Sequence, residues 1–255
     1  MCGRYQLNVE AAALAATHPN ATWHPNHAKQ HKPRQQVRPT TQAPVLVHET
    51  SNPTFQLMKW GFSRGGSPLI NARKETVLEL PTFRPQMRRR CAIPVTGFYE
   101  WQKEAGPGKP SKTPFLIRSI PKAAFEDVSV AYMAGIYRTE NENGQATSKF
   151  VVLTEKAASE LEWLHNRQPV FLRSEKQVEE WLRMDASPTD AVKGLVDGTG
   201  FSWWRMAPDL ADKYRGKVMK QKGIDAFFGS KAKTKDTQSL RVKSRLKKNK
   251  KATKK

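Results

Sequence analysis

The residues in this chain best suited to chemistry are few and far apart. Cys2 directly follows Met1, and a small residue in that position lets an initiator methionine be trimmed. The mature Cys2 would then carry a free α-amine beside its thiol, a pair of nucleophiles that no internal cysteine or lysine offers on adjacent carbons. Three more polar sites lie inside otherwise apolar stretches: Asn71 and Arg73 in "LINARKET", Glu100 in "GFYEW" and His165 in "WLHNRQPVFL". A carboxyl among aromatic side chains is partly desolvated, which raises its pKa and suits it to general acid–base work. An imidazole closing a helical stretch is a second proton carrier. Each residue type also has a plainer use, as a strand carboxylate, a satisfied histidine, a turn asparagine or a packed thiol. Residue type alone leaves both uses open.

Something must hold these groups together, and the sequence offers mostly strands. "GRYQL" opens as a strand and runs into a helix, with Asn8 as its N-cap. His18 to Pro44, rich in His, Pro, Gln and Thr, reads as an irregular loop. "PVLVHE" (44–49) and "FQLMKWGF" (55–62) read as a hairpin, and residues 88–102 as strand, turn and strand. "FLIRSI", "VAYMAGIY" and "KFVVLT" add three strands. Helical spacing marks 155–164 and 174–182, the second with Ser174 and Gln177 as a capping box. Short strands in series with few helices predict an α+β fold. The expectation is a single domain over 1–212, with a mainly antiparallel, curved sheet core and flanking helices. A disordered basic tail is expected over 213–255.

Charge narrows the partner. The 255 residues carry a net charge of +21, and residues 231–255 hold 12 Lys/Arg against the single acid Asp236. The remaining body is basic too, which points to a polyanion and most simply to nucleic acid. Two cysteines, Cys2 and Cys91, make no disulfide scaffold and suit a reducing compartment. No apolar run approaches the ~18 residues of a spanning helix, and "AAALAA" lacks the length and basic flank of a signal peptide. A soluble intracellular protein, with no membrane partner and acting as a monomer, is the expectation.

Five segments in order, "MCGRY", "INARKET" (70–76), "FRPQMRRRCAIPVTGFYEW" (83–101), "MAGIY" (133–137) and "LHNRQPVFL" (164–172), resemble the motifs of the SOS-response-associated peptidase (SRAP) family. The resemblance implies an enzyme that crosslinks itself to abasic sites in single-stranded DNA, with no cofactor or metal. Cys2 would be the nucleophile, Asn71 would position it and the substrate, Glu100 would handle protons, and His165 would assist opening of the deoxyribose ring. Arg4, Arg73, Arg84 and Arg167 match positions at or near DNA phosphate. The open-chain abasic sugar is an aldehyde, so amine and thiol together would close a thiazolidine with it. Lyase-like chemistry and self-cleavage are also implied. DNA binding would draw on Pro39 and Trp60 as surfaces for splayed bases, with Arg88, Arg89 and Arg90 extending the groove. Gln35, Gln36, Asn166 and Gln168 depart from the family pattern, and "WGFSRGGSPLINA" is shorter than usual.

The tail holds one apolar island, "QKGIDAFF" (221–228). Gln221, Ile224, Phe227 and Phe228 fit the PIP-box spacing, in which one helical turn gathers a three-pronged apolar plug for the replication sliding clamp. With the Lys-rich end, this motif predicts a nuclear location at replication forks. Two other readings are a noncatalytic reader of modified or single-stranded DNA, and a metalloprotein built on His18, His24, His27 and His31. Loop histidines in a Pro-rich stretch lack the fixed geometry that zinc needs.

Overall fold

The computed structural model describes residues 2–49, 52–103, 112–119, 130–195 and 206–210. In chain order the first strands are β1 (Tyr5–Leu7), β2 (Thr22–Trp23), β3 (Arg34–Val37), β4 (Gln42–Val47), β5 (Thr54–Trp60), β6 (Asn71–Arg73) and β7 (Arg90–Val95). They are followed by β8 (Gly97–Lys103), β9 (Lys112–Ser119), β10 (Ala131–Glu142), β11 (Gln145–Lys156), β12 (Arg167–Pro169), β13 (Phe171–Leu172) and β14 (Met206–Leu210). The α-helices are short: α1 (Ala11–Thr17), α2 (His27–Gln30), α3 (Ser159–Glu162), α4 (Glu175–Leu182) and α5 (Pro188–Lys193). A 3₁₀ turn covers Arg84–Arg88.

The expected α+β fold with a mainly antiparallel core is what forms, built as two sheets. One runs β14-β9-β8-β1-β3, and the other runs β12-β11-β10-β7-β4-β5-β2 with β6 and β13 attached. Parallel pairings join β2 to β5 and join β11 to both β5 and β6. Every residue of β7 is buried, as are 131–137 of β10 and 149–155 of β11. Strands covered on both faces lose the apolar–polar alternation and read as continuous apolar runs, which "CAIPV" and "FVVL" are. The β10–β11 hairpin closes on Asn143 and Gly144, with φ of 52° and 82°. That Asn-Gly pair supplies the two left-handed residues a tight hairpin with native twist requires.

Three local expectations are corrected. Asn8 is not the cap of α1; Glu10 holds that place, and the Asn8 N–H donates to Thr96 Oγ1 at 3.3 Å. The supposed loop from His18 to Pro44 contains β2, α2, β3 and the start of β4, because short elements pinned by tertiary pairing carry little periodicity of their own. The helix over 155–164 shrinks to Ser159–Glu162, since Glu155 and Lys156 complete β11. In α4, Ser174 caps as expected by accepting from Gln177 N–H, but the Gln177 side chain accepts from Arg173 N–H, one residue before the cap.

Candidate active site

Two strand pairings and one asparagine assemble the site. Tyr5 lies opposite Phe98 in the β1–β8 ladder, and the Tyr99 N–H donates to the Arg4 carbonyl at 2.8 Å, so the segment from Cys2 to Arg4 runs beside Glu100. Only Thr96 separates β7 from β8. Its N–H donates to the Gln6 carbonyl at 2.8 Å, and its hydroxyl bonds Gln6 Oε1 at 3.2 Å, fixing the step from one sheet to the other. Gly97 follows because a Cβ there would meet the Ile117 carbonyl oxygen at 2.8 Å. In the other sheet, β11 holds Asn71 opposite Val152 on one side and Arg167 opposite Lys156 on the other.

Asn71 bridges the halves: its Nδ2 donates to the Cys2 carbonyl at 2.8 Å. Its Oδ1 is buried and has no hydrogen-bond partner. Cys2 is fully buried, and its thiol points at the Arg4 carbonyl at 3.8 Å. Burial, and then the charge of Glu100, push this thiol up to about 12. Glu100 is itself 6% exposed, and its Oε1 accepts from the Trp101 N–H at 3.3 Å. Desolvation raises its carboxyl above the ordinary range, against the opposing pull of the positive amino terminus and that hydrogen bond. A thiol that keeps its proton and a carboxyl readied to exchange one are therefore adjacent.

His165 stands just before β12. Its Nδ1 accepts from the Arg167 N–H at 3.0 Å, which leaves the ring proton on Nε2. Arg167 is held by Glu75 in a fork at 2.7 and 2.9 Å and also donates to the Thr154 carbonyl at 2.6 Å. That fork holds the Glu75 carboxyl below its usual range. Arg73 is exposed at the end of β6 and, with Asn71, Arg64, Leu69, Leu80, Phe83 and Arg138, lines a groove of about 810 Å³. Arg84 faces a different groove with Leu78, Glu79, Pro81 and Arg88. Arg4 lies 5.1 Å over the Trp101 ring. Pro39 is partly exposed in the turn after β3.

Two site expectations fail outright. Trp60 is fully buried, tilted against Tyr5 and stacked on Phe150, and its Nε1 donates to the Ile70 carbonyl at 3.0 Å. No base can reach that ring. Arg90 is 3% exposed and donates to the carbonyls of Met87, Trp181 and Arg183, so it is a core strut and not part of a groove. The histidines do not converge either. His24 stacks on His27, His31 bonds the Val9 carbonyl, and His18 faces Glu175. Among the described residues no three His, Cys, Asp or Glu side chains cluster as a metal site. Gln221, Ile224, Phe227 and Phe228 lie outside the described residues.

Several neighbours of the site escaped the sequence reading. Glu75 was unmarked because its partner lies far along the chain. Thr154, fully buried beside Arg73 in the β11–β6 pair and bonded by Arg167, had a signal as a polar residue ending an apolar run. The departures at 35 and 36 are absorbed locally. Gln35 bonds Gln6 through its side chain and accepts from Tyr99 Oη through its carbonyl, while Gln36 Oε1 accepts from Arg4 at 3.3 Å. Gln168 is used in the same way, accepting from Ala158 N–H and donating to Glu155.

The chain matches one family model over most of its length. Residues 1–211 fit the SOS response associated peptidase (SRAP) family, and the chain belongs to it. Abasic site processing protein YedK of Escherichia coli is 31% identical over 178 residues, covering 67% of this chain and 75% of its own. Abasic site processing protein YoqW of Bacillus subtilis is 28% identical, covering 77% of this chain and 86% of its own. HMCES of Xenopus tropicalis, which carries the same functional name, is 25% identical, with 67% and 60% covered. In fold, a crystal structure from Bacteroides thetaiotaomicron aligns with a TM-score of 0.66 at 20% identity, covering 83% of this chain and 93% of its own. Among the described residues no helix is long and apolar enough to cross a membrane.

Proposed function

We propose that this protein processes abasic sites in single-stranded DNA by crosslinking itself to them through Cys2, once Met1 is removed. One observation carries the reading. Asn71 grips Cys2 by its carbonyl and so engages neither the nitrogen nor the sulfur, with Glu100 buried close by. The functional name shared by its relatives, abasic site processing protein, supports the abasic site as target.

The chemistry balances without a redox partner. His165 Nε2–H donates to the sugar ring oxygen and favours the open-chain aldehyde. The neutral α-amine adds to the carbonyl carbon, and Glu100 shuttles the proton that lets water depart, leaving an imine. The thiol then adds across the C=N bond, its proton passing to nitrogen, and the thiazolidine closes with one water lost overall. Because both nucleophiles belong to one residue, the second step is intramolecular and gains a large effective concentration. Asn71 Oδ1, a buried acceptor, is available to orient the amine. The same proton carriers, run backwards, give slow reversal, and weak lyase and self-cleaving activities belong to this proposal. So do the sliding clamp as partner, through Gln221, Ile224, Phe227 and Phe228, and a nuclear role at replication forks.

The test is a denaturing gel of wild type, Cys2→Ala and an N-terminally blocked form with an abasic single strand. A shifted band for wild type alone is expected. Binding that vanishes in denaturant for all three would mean a noncatalytic reader.

A further inference from the structure

The edge strand β3 holds a feature that the crosslinking chemistry does not use. It ends the smaller sheet, beside β1 and hence beside the segment that starts at Cys2. Gln36 Oε1 accepts from two guanidinium groups at once, Arg4 Nη1 at 3.3 Å and Arg38 Nη2 at 3.1 Å. Two cations drawn to one oxygen repel each other, and glutamine is neutral, so it gathers them without cancelling either charge. Arg38 is exposed, just past the end of β3.

The turn that presents Arg38 is built under strain. Thr40 has φ of 68°, a left-handed conformation that a β-branched residue rarely adopts. It is held there by Thr40 N–H on the Trp60 carbonyl at 2.8 Å and by Thr41 N–H on the Arg38 carbonyl at 3.1 Å. Strain of this kind persists where surrounding structure enforces it, and it clusters at binding sites. Here it sets Arg38 and Pro39 beside the arginine nearest the nucleophile. Arg4 is fixed on its other side by the Trp101 ring.

We propose that Arg4, Gln36 and Arg38 form a two-arginine subsite for a backbone phosphate next to the lesion, with Arg38 extending the DNA path along β3. This rests on the reading of the protein as a single-strand DNA enzyme, and it adds a residue and a direction to that reading. A phosphate between two guanidinium groups accepts charge-assisted hydrogen bonds from both, which relieves their mutual repulsion. Gln36 then acts as a positioning residue that keeps the two forks converged before DNA arrives.

The test measures reversible affinity of the full chain for an undamaged single strand across a salt series, alongside crosslink yield on a saturating abasic strand. For Arg38→Ala, the slope of log K against log salt should become shallower by about 0.7, the loss of one phosphate contact on a single strand. Arg38→Lys, which keeps the charge, should restore the slope, and Gln36→Glu, which places an anion between the forks, should weaken affinity as Arg38→Ala does. An Arg38→Ala slope equal to wild type overturns the subsite, as does an unaltered affinity in Gln36→Glu. A wild type that binds strands but never crosslinks overturns the enzymatic reading and leaves the slope to decide the subsite; a wild type that binds no single strand overturns both.

Discussion

Glu100 shows how one burial sets a chemistry. Its carboxyl is near enough to Cys2 for its charge to raise that thiol, is almost wholly buried, and is raised by desolvation above the ordinary carboxylate range. Below that raised value it is protonated and cannot take a proton, so the crosslinking rate should rise with pH as Glu100 ionises. A second inflection belongs to the α-amine of Cys2, whose ordinary pKa is ~7.7–8.0. Glu100→Gln should slow adduct formation by ~10²–10⁴-fold, the usual worth of a placed proton carrier. It should also remove the Glu100 inflection alone and leave that of the amine, read from rate against pH. A profile unchanged in shape would assign Glu100 a purely structural role. At this scale the sequence was legible mainly through motif resemblance, because Asn71 and Glu100 sit far from Cys2 along the chain. Trp60 misled for the opposite reason. An indole beside a glycine looks the same in sequence whether it faces a base or the core, and only the packing of Tyr5 and Phe150 decides.

Among the elements, two joints carry the site. At Gly97, β8 passes so close to β9 that an added methyl would meet the Ile117 carbonyl at 2.8 Å. Gly97→Ala should therefore push the strands apart, costing about 1–3 kcal/mol in a urea melt and lowering the crosslinking rate, because Glu100 is carried by the displaced strand. The β10–β11 hairpin is fastened to the loop after β5. Glu140 accepts from the Ser63 N–H at 3.0 Å and pairs with Arg138 at 2.6 Å and the buried Lys149 at 3.1 Å. Burial alone would raise this carboxyl, but those donors together hold it at about 2, below the usual value of 4.5. Its contribution is thus complete above the ordinary carboxylate range and is lost as pH falls toward about 2. Glu140→Gln should cost about 2 kcal/mol at neutral pH, a gap that narrows at pH ~3 in paired denaturation curves; a gap constant with pH would rule this linkage out. Strands such as "KFVVLT" were readable because burial on both faces writes itself as an apolar run. Short pieces such as β2 and β3 were not, since they exist through pairing with β5 and β1 and not through their own periodicity.

As a whole, the protein joins a β-rich SRAP body to a strongly basic chain end, with a net charge of +21 over the full sequence. The α+β class followed from the series of short strands. The division into two sheets did not, because the change of sheet happens across the single residue Thr96, which reads as an ordinary turn. Body and tail should be separable in function. Replacing Phe227 and Phe228 with Ala should abolish capture by an immobilised sliding clamp and leave crosslinking at the wild-type rate; loss of both would tie the tail to the fold.

The central claim is that one terminal residue, through its nitrogen and its sulfur together, takes the sugar carbonyl into a ring. Intact mass spectrometry of the protein after incubation with an abasic single strand measures this directly. The expected species is the Met1-free chain plus the oligonucleotide less one water, present for wild type and missing for Cys2→Ala. An adduct of undiminished yield from Cys2→Ala, or from a chain that keeps its methionine, would contradict the account.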